Sequence, residues 1–425
     1  MSKSIRVAAV DLNGQLRGKR VPKAMRGKQM RMPLSVLNID VFGADIQDSP
    51  LVFDSGDQDG VMEPAGRDPV PLPWVAGEAE LDLRVMHNED GSPFEGDPRI
   101  ALSEVLNRYA HHGWQVIAAC ELEFFLLAEG DTLAPPLNPK TGRRLSGTEI
   151  LSLRELDGFD HFFNDVAEGA KLMGIGDLTI TTEAGVGQFE VTMTHGPALH
   201  IADNVILLKE LIKGTARNHG MAATFMAKPF SDESGNGLHT HFSVINQAGE
   251  NIFCSKGKLQ SAVAGCLEAF EASTLFFAPY VNSFDRFVEG AHAPTSATWG
   301  YENRTVAMRI PSGPDAATRI EHRVAGGDAN PYLLFAAIFG AALGGIERNS
   351  VPPAPIEGNA YEHPTELPGL LPDLSAAIDG LDAPLLEHFM PALILENLAA
   401  TKSQERDLFD KLSDHEALMA LIDTA

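Results

Sequence analysis

Apolar residues recur along this chain in two rhythms. Up to about Asp97 they come in short runs such as IRVAAVDL and VPLPWV, broken by glycine, aspartate and proline. Pro64, Pro69, Pro71, Pro73, Pro93 and Pro98 exclude long helices between Glu63 and Pro98, since proline lacks an amide hydrogen and clashes in a helix interior. Residues 1–97 therefore read as a small, mainly β domain, and 98–425 as a second, larger one. At Asp97-Pro98 the rhythm changes. Asp97 is suited to cap a helix with Pro98 in its first turn, Leu102, Val105, Leu106 and Tyr109 follow at helical spacing, and Gly113 stops it.

Beyond Gly113 the chain alternates apolar strands with amphipathic helices, an α+β pattern. Strands are predicted at QVIAACELEFFLL, QFEVTMT, AATFMAKPF, HTHFSVI, TVAMRIP and TRIEHRV. Helices are predicted near residues 161–173, 198–218, 259–277, 331–347 and 391–412. The most apolar stretch, LLFAAIFGAALGGI, is too short to cross a bilayer and reads as a buried helix.

Several strands carry charge on one face only. Glu121 and Glu123 are two residues apart in CELEFF, so both point the same way, with Cα atoms roughly 7 Å apart. Cys120, Leu122 and Phe124 occupy the other face, and Ile117, Ala119, Phe125 and Leu127 flank the carboxylates. Buried carboxylates in such company need a cation; wet glutamates on an edge strand are the alternative. Glu190 lies on a strand backed by Phe189, Val191 and Met193, and a turn at Gly185 and Gly187 can bring Glu183 to it. Neither glycine pattern is a nucleotide-binding fingerprint.

In SGNGLHTHFS, His239, His241 and Ser243 share a face while Thr240, Phe242 and Val244 point to the core. Both histidines could bind one metal, or one of them, or neither. In TRIEHR, Arg319, Glu321 and Arg323 alternate with Ile320, His322 and Val324, which places the carboxylate between two guanidiniums in an ion network or an anion site. Arg304 and Arg309 add cationic charge in NRTVAMRIP, for phosphate or carboxylate recognition or for salt bridges. Together, five glutamates and at least one histidine suit two hard divalent cations, Mg²⁺ or Mn²⁺, and no thiolate zinc site is present. Two metals beside clustered arginines suit phosphoryl transfer.

Composition narrows the partners. The chain has 425 residues, 44% hydrophobic and 21% charged, as a soluble globular protein does. Its formal charge of −25, with no segregated basic patch, argues against nucleic acid and weakly favours cationic substrates. Three cysteines (Cys120, Cys254, Cys266) form no CxxC pair, and the N-terminus lacks a signal-peptide core, so a cytosolic, reducing location is expected, with no membrane partner.

In order, ELEFF, EAGVGQFE, KPFSDESGNGLHTHFS, NSFDRF, WGYENRTVAMRIP and RIEHR…DANPY resemble the glutamine synthetase superfamily, over roughly Asp97 to Glu347. The resemblance implies an α+β fold: a small N-terminal β-grasp domain (1–97), then a catalytic domain (98–425) whose curved antiparallel sheet lines the active site, with helices around it. It further implies ATP as cosubstrate, two or more Mg²⁺ or Mn²⁺ ions, and a homo-oligomer, a double-ring dodecamer with active sites between subunits. By position, Glu123, Glu183 and Glu190 match ligands of the metal that helps bind glutamate. Glu121, His239 and Glu321 match ligands of the ATP-side metal. His241, Ser243 and Arg319 fall beside the nucleotide, Arg304 and Arg309 around the transferred phosphoryl group, and Arg286 and Arg323 near glutamate. Glu123 and His239 also border that substrate, and Gly235 belongs to the turn that touches its amino end.

The chain departs from the ammonia-using pattern in two places. VFGADIQDS stands where a DGSS loop is expected, with Asp45 and Asp48 the nearby acids. In GAHAP, His292 stands where a flap glutamate is expected, and it could act as a general base. DLNGQLRGKRVP and WGYENRT are most similar to the γ-glutamylpolyamine synthetase branch. The implied activity is ATP-dependent γ-glutamylation of an amine, putrescine or a related polyamine first, by way of a γ-glutamyl phosphate. Alternatives are a monoamine such as methylamine or ethanolamine, ammonia itself, a two-metal hydrolase, or a silent structural or regulatory relative. Tyr361, in NAYEHP, lies near the site at which some bacterial glutamine synthetases are adenylylated, and no modification is expected here because the surrounding sequence differs.

Overall fold

The computed structural model describes residues 4–130, 133–147, 149–255, 257–288, 290, 293–362, 368–422 and 424. Strands β1 (Ser4–Val10) and β2 (Leu16–Pro22) form a hairpin. They are followed by β3 (Met30–Pro33), β4 (Asp59–Pro64), β5 (Val70–Pro71) and β6 (Glu80–His87). The sheet order is β2-β1-β6-β4-β3, with β5 paired to β6 and β1 parallel to β6. The helix Pro98–His111 follows. Asp97 caps it, accepting from Arg99 N at 2.8 Å and Ile100 N at 3.4 Å, and its other oxygen accepts from Met86 N at 2.8 Å. One carboxylate thus joins the last strand of the first sheet to the helix that leaves it.

The second sheet has nine strands built around the long β7 (Trp114–Ala128). The others are β8 (Leu178–Thr182), β9 (Gln188–Met193), β10 (Gly196–Pro197), β11 (Met221–Thr224), β12 (Leu238–Asn246), β13 (Trp299–Tyr301), β14 (Met308–Ile310) and β15 (Ile320–His322). Their order is β13-β14-β15-β12-β7-β9-β8, with β10 and β11 also on β7. The expectation of an antiparallel sheet needs one correction: β13 and β14 run parallel, which makes the sheet mixed. The loop between them folds back on Asn303, whose Oδ1 accepts from Thr305 N at 3.0 Å and Thr305 Oγ1 at 2.6 Å.

The strands predicted at TVAMRIP and TRIEHRV are only Met308–Ile310 and Ile320–His322, and two further elements end early for reasons the contacts show. The 222–230 strand stops at Thr224, because Asn236 Nδ2 donates to Thr224 O (3.4 Å) and Met226 O (2.8 Å), so these carbonyls turn toward a side chain. The 259–277 helix divides into Lys258–Glu268 and Thr274–Phe277, where Thr274 Oγ1 donates to Glu271 O at 2.7 Å and competes with the helical ladder.

One face of the nine-stranded sheet is packed by helices. Phe124, Phe189, Phe225 and Phe242 are fully or almost fully buried and belong to the same core as the helices Ala198–Asn218 and Pro331–Arg348. The latter is apolar on all sides and almost wholly buried. Asn330 caps it and also donates to Asp11 O at 3.0 Å, which ties it to the first sheet. Among the described residues no helix is long and apolar enough to cross a membrane.

The last long helix, Ala392–Phe409, is anchored by a buried ion pair. Lys402 Nζ donates to Glu405 Oε2 at 2.7 Å and to Asn13 Oδ1 at 2.6 Å, and stands 3.9 Å from the centre of the Tyr280 ring. Glu405 Oε1 accepts from Asn13 Nδ2 at 2.8 Å and from Val41 N at 2.7 Å. Lys402→Met is expected to destabilise the protein by about 3 kcal/mol, because it leaves a buried carboxylate without its cation. Adding Glu405→Gln, which keeps the acceptor for Val41 and Asn13, should recover part of that loss. Urea unfolding of both variants measures the effect.

Candidate active site

The open face of the nine-stranded sheet gathers the charged residues by strand register. Glu121 and Glu123 project from the middle of β7. His239 on β12 stands directly opposite Glu121, and Glu190 on β9 directly opposite Glu123. Glu321 on β15 stands opposite His241 on β12. Glu183 enters from the β8–β9 turn, where its N–H donates to Gln188 O at 2.9 Å and Gly187 takes a positive φ of 81°. Two trios result: Glu121, His239 and Glu321, and Glu123, Glu183 and Glu190. In each, the ligand atoms lie within 4.8 Å of one another.

The trios differ in how their charge is balanced. Glu121 lies 3.0 Å from His239 Nδ1 and 2.9 Å from His241 Nε2. Burial works to raise its carboxyl, but the hydrogen bonds and charges of the two histidines hold it well below the ordinary carboxylate range. Glu321 accepts from Arg309 Nη1 at 2.7 Å and is also bound by Arg323 Nη1. Burial raises it too, and Arg323, His239 and His241 outweigh that.

The second trio has almost no such help. Burial and the charges of Glu123 and Glu121 push Glu183 up to about 7. Burial and the charges of Glu121, Glu123 and Glu183 push Glu190 up to about 8. Like charges directly opposite on neighbouring strands destabilise a sheet. An oxygen-only donor set under this strain fits a hard divalent cation.

A loop over this trio is fixed by hydrogen bonds from its backbone to neighbouring side chains. Gln188 Oε1 accepts from Gly185 N at 2.9 Å, while its Nε2 donates to Gly235 O and Asn236 Oδ1, both at 3.0 Å. Glu233 accepts from Val186 N at 3.2 Å. Gly237 N donates to Glu123 Oε2 at 2.5 Å. A side chain at Gly235 would meet Ala227 O at 2.6 Å and Arg286 Cγ at 2.8 Å, so only glycine lets the turn lie this close. Arg286 is buried and donates from Nη1 to Val324 O at 2.6 Å.

Beside the first trio, a cavity of about 690 Å³ opens between β7, β9, β12 and the loop 314–319. Glu121, His241 and Arg319 mark its polar end, with Ile117, Met193, Phe242 and Ile245 along its apolar walls. Such a space can take a ligand with a charged tail and a flat, mostly apolar head.

The family model described as "Glutamine synthetase, catalytic domain" matches residues 95–419. The chain belongs to the glutamine synthetase family. Gamma-glutamylputrescine synthetase PuuA of Escherichia coli K12 is 37% identical over 377 residues, covering 84% of this chain and 78% of the relative. A Pseudomonas glutamate–isopropylamine ligase is 32% identical over 386 residues, covering 86% and 82%. A solved structure described as a GmaS/ADP complex superposes with a TM-score of 0.83 at 29% identity, covering 97% of this chain and 95% of that one. Members of the family are ligases that use ATP and divalent metals, and the two trios give this chain donors of the right chemistry.

All six expected metal-ligating residues fall in the two trios, three and three. His241 and Ser243 line the cavity with Arg319. The expected cradle of Glu321 between Arg319 and Arg323 needs correction. Arg323 is one partner, but the other is Arg309 from the neighbouring strand, whereas Arg319 Nε points to His241 Nδ1 at 3.3 Å. Register decides this, because Arg309 pairs directly with Glu321 across β14 and β15. Arg304 is exposed in the turn before β14, within electrostatic reach of Glu183. Asp45 and Asp48 are exposed on a loop held by Asp40 and Gln404. His292 lies outside the described residues. Thr192 and His195, which line the cavity, escaped the sequence reading, as did Gln188 and Glu233. Gln188 and Thr192 share the Glu190 face of β9 by two-residue spacing, a signal that was there to be read, whereas nothing in the local pattern marks His195 or Glu233.

In protein stripped of divalent cations, the folded state holds protons on Glu183 and Glu190 that the unfolded state has released, since their carboxyls sit near about 7 and about 8. Stability is therefore lost as pH rises from about 5 to about 8. Mg²⁺ or Mn²⁺ is expected to raise the melting temperature, and to raise it more at about pH 8 than at about pH 5. Thermal melts with and without a chelator test this; a melting temperature at pH 8 that ignores divalent ions refutes it.

Proposed function

We propose that this enzyme joins the γ-carboxylate of L-glutamate to an amine with hydrolysis of ATP to ADP and phosphate, and that the acceptor is putrescine or a related polyamine. The observation that carries the reading is the pair of complete trios, one balanced by histidines and arginines and the other left almost without countercharge from the chain, so that its carboxyls are pushed up. A carboxylate resists nucleophilic attack at neutral pH, so it must first be activated. The γ-carboxylate oxygen attacks the γ-phosphorus of ATP, ADP leaves, and a γ-glutamyl phosphate forms. The amine nitrogen then attacks the acyl carbon, loses a proton, and phosphate departs.

In this reading Glu123, Glu183 and Glu190 hold one divalent cation and Glu121, His239 and Glu321 another, which supply charge neutralisation on the phosphates and glutamate. The cavity takes the nucleotide, with His241, Ser243 and Arg319 beside it. Arg304 and Arg309 flank the group in transfer, where preorganised cations stabilise developing charge. Arg286 and Arg323 receive glutamate carboxylates, and the Gly235 turn leaves room for its amino end. A larger nucleophile than ammonia is supported by the missing DGSS loop, by histidine at position 292, and by likeness to relatives named for putrescine and isopropylamine. His292 is the proposed base for the amine proton. We also propose a cytosolic double-ring dodecamer whose sites lie between subunits.

Phosphate release with glutamate, ATP and a panel of putrescine, spermidine, methylamine, ethanolamine and ammonia tests the reading. Turnover should require glutamate, and kcat/KM for a diamine should exceed that for ammonia by at least about tenfold. Ammonia performing as well as any amine overturns the polyamine assignment. Arg304→Ala, at an exposed position, should lower kcat roughly 100-fold without moving the melting temperature, as expected for loss of one charge-stabilising donor.

A further inference from the structure

Tyr361 carries a polar group that the site described above does not use. It belongs to a single helical turn, Ala360–Glu362, that is pinned to the chain around Arg304. Ala360 N donates to Thr305 Oγ1 at 2.9 Å, Asn303 Nδ2 to Gly358 O at 2.8 Å, and Ile356 N to Trp299 O at 2.8 Å. Arg323 is fixed to the same segment, its N–H donating to Ala307 O at 3.0 Å. The backbone that carries Tyr361 is therefore as firmly placed as the arginines near it.

The phenol turns inward. Its hydroxyl oxygen is shielded from solvent and has no hydrogen-bond partner among the described residues. Burial raises the ionisation of the phenol, and the nearby positive charges of Arg286 and Arg323 oppose that rise. Arg323 Nε is likewise buried and without a partner. Leaving a buried donor unsatisfied is costly, so the phenol hydroxyl and the Arg323 Nε, with the Arg286 guanidinium near them, mark a place made for an anion with several acceptor oxygens. Glu123 and Asp328 bear on Arg286 electrostatically, but among the described residues no carboxylate hydrogen-bonds Arg286 or the Tyr361 hydroxyl. Arg286 bonds a backbone carbonyl, and Arg323 binds the Glu321 carboxylate through Nη1.

We propose that the Tyr361 hydroxyl donates a hydrogen bond to a carboxylate oxygen of bound glutamate, completing with Arg286 and Arg323 the pocket for that substrate. This rests on the glutamate ligase reading above and adds to it a substrate-binding residue on a different segment. The phenol contributes a neutral, directional donor where the guanidiniums contribute charge, so it should govern glutamate affinity and leave ATP affinity alone. A hydroxyl employed this way is also turned away from the surface.

Tyr361→Phe removes only the oxygen and keeps the ring. In the full-length enzyme, KM for glutamate should rise roughly 10- to 100-fold, as for loss of a hydrogen bond to a charged group. KM for ATP should stay within about twofold, and the melting temperature of the free enzyme should be unchanged or higher, because an unsatisfied group is gone. Calorimetric titration with L-glutamate in the presence of ADP gives the same comparison without turnover. An unchanged glutamate KM and affinity in a folded, active variant overturns the inference while leaving the ligase reading intact. A fall in kcat alone, or an equal rise in both KM values, also overturns it, since either places the hydroxyl on the phosphoryl group. Wild-type enzyme whose phosphate release ignores glutamate removes the ligase reading and this inference together.

Discussion

Four carboxylates on the open face of one sheet, and a fifth from the turn beside it, crowd together, and the way their charge is answered organises the rest of the molecule. Glu123 and Glu190 face each other across adjacent strands, with Glu121 two residues along β7. No apolar core could hold that arrangement without cations. On the β12–β15 side the chain brings its own, in His239, His241, Arg309 and Arg323, and the carboxyls of Glu121 and Glu321 are held low. On the β8–β9 side it brings almost none, and Glu183 and Glu190 rise to about 7 and about 8. The asymmetry separates a half of the site already close to neutral from a half that demands an external ion.

Holding repelling groups together requires a stiff frame, and the surroundings supply one. Gln188 and Asn236 form a two-sided clamp between the β8–β9 turn and the glycine turn, so Glu183 and Gly235 are fixed by the same amides. Asn236 reaches further, to Thr224 and Met226, and ends β11 there. Farther out, Lys402, Glu405 and Asn13 lock the last long helix to the first hairpin, and Tyr280, which packs on Lys402, begins the short helix that leads to Arg286.

Much of this was legible along the chain. The two-residue spacing of Glu121 and Glu123, and of His239 and His241, was sufficient to put each pair on one face, because side chains alternate strictly in a strand. The Asp97 cap and the buried helix Pro331–Arg348 were equally plain. The misread partner of Glu321 shows the limit. Spacing within TRIEHR suggested Arg319, yet the β14–β15 register set Arg309 against the carboxylate and freed Arg319 for His241. His195 and Tyr361 lie on irregular segments with no periodicity to reveal which way they face.

The sequence by itself determined the residue types, their faces and the α+β order of elements, because period-two and period-3.6 patterns are local properties of a chain. It also determined, through an ordered set of motifs, which family the chain resembles. Only the tertiary structure decided which strands are neighbours, and with them which carboxylates repel, which histidine meets which glutamate, and which arginine answers Glu321. Those pairings depend on register between separate segments, roughly 80 to 130 residues apart where β12 meets β15 and β7, and no local pattern encodes them. The tertiary structure alone also turned the Tyr361 hydroxyl inward, since a phenol on a short turn takes its direction from what packs around it.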